Sequence, residues 1–121
     1  VTWVLVIVSG AIGALARYGV IGAVQAKARD PRPWGTFTVN MSGAAVLGLI
    51  AGAGPSGWWV IPVTAGFLGG YTTFSTWIIE TIYLAEGGGS AAARTGLLNL
   101  LGTFVVGVFV AGVAYLVGAA L

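Results

Sequence analysis

The sequence predicts an all-α integral membrane protein with four transmembrane helices, organised as one domain over residues 1–121. Two observations carry this expectation. The 121-residue chain is 58% hydrophobic and 7% charged, with mean hydropathy +1.00, whereas a soluble domain of this length carries several times more charge. Its apolar residues also fall into four long stretches, each able to cross a hydrocarbon core about 30 Å thick as a helix. Short segments rich in proline, glycine or charge part them.

The first stretch, Thr2 to Ala26, reads as a crossing and not as a signal peptide, because no basic region precedes it and it runs past the usual length. Ser9 and Gly13, Gly10 and Ala14, and Gly19 and Ala23 have the small-xxx-small spacing that lets helix backbones approach closely. Arg17 lies roughly 15 Å from Lys27 at helical rise, too deep to face lipid comfortably. Snorkelling or a buried pairing is the plainer role for it, direct ion contact the sharper one. Lys27 to Trp34 follows as a charged loop in which Pro31 and Pro33 stop the helix and Trp34 suits the membrane interface. The second stretch, Gly35 to Ala53, places Gly43, Gly48 and Gly52 on a packing face. Its Asn40 could bond across helices or offer its amide to an anion. Gly54 to Gly57 is a turn, and Trp58 and Trp59 anchor what comes next.

The third stretch, Trp58 to Glu86, is the unusual one. Its centre carries Gly69 and Gly70, followed by Thr72, Thr73, Ser75 and Thr76. Glycine is poor in a helix interior, and hydroxyls compete for backbone groups. Thr72 lies roughly 20 Å from either end at helical rise, so a break there falls near the bilayer midplane. Irregular backbone at that depth needs protein around it or a cavity beside it, which is how transport proteins build ion sites. After a flexible Gly87 to Ser90, the fourth stretch runs from Ala92 to Ala120, with Asn99, Thr103 and Gly107 along one face. That face could be a polar track or a tight helix contact.

Several function classes drop out. With no cysteine and no histidine, the chain has no disulfide, no thiolate or imidazole metal site and no Ser-His-Asp triad. Of three carboxylates only Glu80 lies inside a crossing, with no second acid or base near it in sequence, so it is not read as an enzyme. Glu80 could couple to protons or simply bond a neighbour. The net charge of +2 comes from too few groups to suggest a nucleic-acid partner. Lys27, Arg29, Arg32 and Arg94 all fall on one side of a four-crossing chain, which predicts those loops in the cytoplasm and both termini outside. At the break, hydroxyls and the positive edges of Phe74 and Trp77 suit a small anion. The carbonyls freed from Gly69 to Thr72 suit a small cation instead, and spacing does not choose between them.

These residues resemble the fluoride channel family (Fluc, or CrcB). The matching pieces are Gly13-Ala14 with Arg17-Tyr18, Gly35-Thr36-Phe37 with Asn40 and Gly43, and Gly66 through Thr76 ending at Glu80; Asn99 with Thr103 fits less specifically. The resemblance implies a passive, fluoride-selective channel in the cell membrane that exports fluoride and relieves its toxicity. It implies an antiparallel, dual-topology dimer with two pores and a central sodium ion held by the backbone carbonyls of Gly69 and Thr72. Phe74 and Trp77 would line the fluoride path, Asn40 would donate its amide, and Ser75, Thr76 and Thr103 would continue the track. Arg17 would stand near the vestibule, with Glu80 and Asn99 close to the pore. The family usually has phenylalanine at Trp77, and indole is larger and adds an N–H donor. The dimer partner is a second copy by default, or a paralogous subunit, which the lopsided cations favour. The rivals are a four-helix, dual-topology, proton-coupled efflux transporter, which would need an acid in helix one where this chain has Arg17, and a non-conducting partner subunit.

Overall fold

The computed structural model describes residues 1–30 and 32–121; the stop assigned to Pro31 lies outside them. Helix α1 spans Thr2–Ala28, α2 Trp34–Ala53, α4 Ser75–Ala85 and α5 Gly89–Ala119. Between α2 and α4 lies a π-helix, Pro62–Leu68, that runs into a short α-helical turn, Gly69–Tyr71, labelled α3. No strand occurs among the described residues. α1, α2 and α5 are each long and apolar enough to cross a membrane. The third stretch reaches comparable length only as two shorter helical pieces.

α1 extends to Ala28, past the expected Ala26, because Lys27 and Ala28 remain good helix formers. Arg29 ends it in a left-handed conformation, φ 48°. Gln25 then ties the loop down: its Nε2 donates to the carbonyls of Asp30 (2.5 Å) and Arg32 (2.9 Å), and Gly35 N donates to its Oε1 at 3.3 Å. Arg32 forks onto both oxygens of Asp30 and stacks over the Trp34 ring, 5.3 Å from guanidinium carbon to centroid.

The Gly87 to Ser90 connection is shorter than expected. α5 already begins at Gly89, and only Gly88 and Gly89 take positive φ, so Ser90 is helical.

Packing follows the small residues. α2 lies along α5, where a Cβ on Gly48 would strike Ala111 O and one on Gly52 would strike Tyr115 O. α1 lies along the π-helix and α3: a Cβ on Gly13 would strike Phe67 O, and one on Gly70 would strike Gly10 O. Gly19, by contrast, meets nothing within 4 Å in this chain. The fully enclosed side chains are few, led by Val39 and Thr36 on α2. Large apolar side chains such as Trp3, Ile7, Leu15 and Phe109 stand exposed along the helices, as on a surface that faces lipid or a partner.

Gly69 and Gly70 are helical, not the site of the irregularity. They serve contact, since Gly70 sits against the α1 backbone. Helical conformation instead lapses over residues 72–74: Thr72 N still donates to Leu68 O at 3.0 Å, but Thr72 itself is extended at φ −78°, ψ 162°.

Candidate functional site

The lapse has an identifiable cause. Thr73 N, which would continue the ladder onto Gly69 O, donates instead to Asn40 Oδ1 at 2.8 Å, and Asn40 Nδ2 donates to Thr73 O at 2.9 Å. One amide thus satisfies both backbone groups of a buried residue, which is the requirement for non-helical backbone away from water. The Thr73 hydroxyl donates to Thr76 Oγ1 at 3.0 Å and accepts from Thr76 N at 3.3 Å, satisfying one orphan donor of α4's first turn. On the other side, Arg17 Nη1 donates to Thr72 O at 3.0 Å. Arg17, Asn40, Thr72 and Thr73 therefore form one cluster, drawn from α1, α2 and the segment before α4.

A cavity of about 460 Å³ opens beside this cluster, lined by Asn40, Gly69, Thr73, Phe74, Trp77 and Thr103 among others. Phe74 is 71% exposed in the single chain and meets Trp77 edge to face, centroids 5.5 Å apart at 79°. A second cavity of about 480 Å³ lies between the start of α2, the end of α4 and α5, lined by Trp34, Phe37, Asn99 and Thr103 among others. Thr103 borders both. A third, of about 650 Å³, is lined by Arg17, Tyr18 and Thr76 with small residues of α1.

Polar bonds tie α4 to its neighbours. Trp77 Nε1 donates to Asn99 O at 3.2 Å, Asn99 Nδ2 donates to Thr81 Oγ1 at 2.8 Å, and Thr81 Oγ1 donates to Trp77 O at 2.9 Å. Glu80 stands apart from the cluster: Thr36 Oγ1 donates to its Oε1 at 2.8 Å, while its Oε2 is buried without a partner among the described residues. Ser75 is exposed at the start of α4.

Of the expected site residues, Asn40, Gly69, Thr72, Phe74, Trp77 and Thr103 line the first cavity; Asn99 borders only the second, Arg17 and Thr76 the third, and Ser75 and Glu80 none of them. Sequence reading missed Thr36, Thr73, Thr81 and Gln25 as partners. Thr73 alone carried a local signal, a hydroxyl three residues ahead of Thr76 at a helix start. Thr36 and Thr81 act on Glu80 and Asn99, remote in sequence, and Gln25 acts within the connection from α1 to α2, where no periodicity points to it.

Comparison with known proteins bears on what such a cluster is for. The family model described as CrcB-like protein, Camphor Resistance (CrcB), matches residues 4–115. Fluoride-specific ion channel FluC 2 of Mycolicibacterium paratuberculosis is 41% identical over 105 residues, 87% of this chain and 84% of that protein. Fluoride-specific ion channel FluC of Geobacter sulfurreducens is 40% identical over 111 residues, 88% of this chain and 90% of that one. FluC 2 of Clostridium acetobutylicum is 33% identical over 104 residues, 86% of each chain. With the family's model matched over residues 4–115 of this chain and relatives 40% and 41% identical over more than four fifths of both chains, the chain belongs to the CrcB family.

Proposed function

We propose that this chain is a subunit of a passive, fluoride-selective channel that lets fluoride leave the cell. It is a multi-pass membrane protein whose residues 1–121 form one four-crossing channel domain, the third crossing broken near mid-membrane. The observation that carries the reading is the interruption at residues 72–74, clamped by Asn40 beside a cavity that Phe74, Trp77 and Thr103 border. The names of its relatives supply the ion.

Fluoride is small and tightly hydrated, so a path for it must replace water with several donors while no single charge holds it fast. Neutral donors border this route: the hydroxyl of Thr103, the N–H of Asn40 that Thr73 leaves unused, and the ring edges of Phe74 and Trp77; Ser75 and Thr76 follow at the start of α4, Thr76 on the third cavity. Arg17 supplies positive potential from the third cavity without lying in the first. Glu80 sits away from the donors, its Oε1 engaged by Thr36.

The backbone also suits a central sodium ion shared with an antiparallel partner. Gly69 O has lost its usual donor because Thr73 N goes to Asn40, and Thr72 O points out of an extended residue with one lone pair given to Arg17. Uncharged carbonyl oxygens are the ligands a hard cation takes. When bound, sodium would join the two subunits and add positive potential at their centre.

Fluoride efflux from liposomes, followed with an ion-selective electrode with and without external sodium, tests the reading. Efflux of fluoride but not chloride is expected. No flux from the reconstituted chain, alone or paired with a paralogous subunit, overturns it. Proton-coupled efflux is disfavoured, since α1 holds Arg17 and no acid.

A further inference from the structure

Six hydroxyls on or ending the helices, those of Thr38, Ser42, Thr64, Thr72, Thr81 and Thr95, donate to the carbonyl four residues earlier at 2.7–3.0 Å. This is the ordinary resting place of a helical hydroxyl in an apolar setting. Thr103, in the middle of α5 and 8% exposed, makes no such bond among the described residues. The carbonyl four residues before it belongs to Asn99, and Trp77 Nε1 donates to that oxygen. A carbonyl has two lone pairs; the helix ladder uses one and the indole takes the other. Thr103 Oγ1 is not among the sealed, unpartnered atoms, and its residue borders both cavities.

We propose that Trp77 is a positioning residue for Thr103: by occupying Asn99 O it keeps the Thr103 hydroxyl proton turned toward the cavities that Thr103 borders, where it donates to a dehydrated fluoride. The inference rests on the channel reading above. Indole size is secondary here, and the N–H is the functional part. Without that N–H, Asn99 O is free again and Thr103 turns back onto it, leaving an oxygen lone pair toward the anion.

The experiment is a double-substitution cycle in the full chain, reconstituted for fluoride efflux and, in micelles, examined by the ¹⁹F line width of added sodium fluoride. Trp77→Phe and Thr103→Val are each expected to lower flux and line broadening about tenfold, the equivalent of about 1.4 kcal/mol. The double variant is expected to be no worse than either single one, and Thr103→Ser to retain both signals. Replacing Trp77 with benzothienylalanine, which keeps the ring's size and removes only the N–H, is expected to behave like Trp77→Phe and serves if the smaller ring fails to give a monodisperse sample. Flux in either Trp77 variant equal to or above wild type, or losses that multiply in the double variant, overturns the proposal and leaves the channel intact. A wild-type chain that neither passes nor binds fluoride removes the channel reading, and this inference with it.

Discussion

Thr36 is 2% exposed, and its hydroxyl is the only hydrogen-bond donor that Glu80's carboxyl meets among the described residues. Thr36→Val removes that donor without changing shape and leaves both Glu80 oxygens unpartnered, which costs about 1–3 kcal/mol. Thr38→Val, two residues on, removes only a back-bond to Trp34 O and is expected within about 0.5 kcal/mol of wild type. Thermal unfolding of both variants in detergent checks the difference; equal midpoints would show that Thr36 contributes nothing to Glu80. The loop offers a second residue-scale test. The Arg32 guanidinium, bonded to both oxygens of Asp30, holds that carboxyl well below the usual carboxylate range. Because the folded value is the lower one, the pair's contribution is complete above the ordinary value of about 4 and fades only as pH falls through the depressed one. The Trp34 indole proton, whose nitrogen donates to Asp30 Oδ2 at 3.3 Å, is therefore expected to keep its NMR shift down to about pH 3, below the ordinary carboxylate value. In Asp30→Asn it starts from a different shift. A titration centred near pH 4 in the wild type would contradict the pairing.

At the scale of the element, the same residue type does opposite things along α1. Gly13→Ala drives a methyl into the Phe67 carbonyl and costs about 1–3 kcal/mol. Gly19→Ala meets open space in this chain and is expected to cost nothing, with up to about 1 kcal/mol gained in helix propensity. Unfolding of the two variants side by side decides it, and a Gly13→Ala as stable as Gly19→Ala would mean that α1 and the π-helix do not touch there. Both glycines have small-xxx-small spacing in the sequence, and only the fold shows which face is used. The same limit explains what else was legible. Hydropathy is a local property, so the four apolar stretches and their loops could be read to within a few residues. So could the α2 face of Gly48 and Gly52, which lies on α5, whereas Gly43, expected on the same face, meets Thr72 instead. The irregular backbone was expected between Gly69 and Thr73 because glycines and a run of hydroxyls are local signals. Its cause is Asn40, 33 residues from Thr73, an amide that no periodicity links to the residue it clamps. Trp77 on Asn99 and Thr36 on Glu80 were hidden for the same reason, each bond joining elements remote in sequence.

For the whole molecule the open question is orientation, and charge decides it. With the four crossings proposed above, the end of α1 and the α4–α5 connection would lie on one side of the membrane, and the α2–π-helix turn and both ends of residues 1–121 on the other. The first side carries Lys27, Arg29, Arg32 and Arg94, while the second carries no Lys or Arg. Asp30 neutralises Arg32, but carboxylates count for little when a crossing chooses its direction, so all four cations act. A chain so biased is expected to insert mainly one way, and an antiparallel dimer then needs a paralogous subunit biased the other way. Because the chain has no cysteine, single substitutions report directly. Ser56→Cys, in the turn after α2, is expected to react with an impermeant maleimide from outside intact cells. Ser90→Cys, at the start of α5, is expected to react only after permeabilisation. Placing lysines at Ser56 and Gly57 should even out the two populations, since the bias is then two cations against four. Equal labelling of both sites in the unmodified chain would mean that it inserts in both directions and pairs with itself, and that the cation asymmetry does not set its orientation.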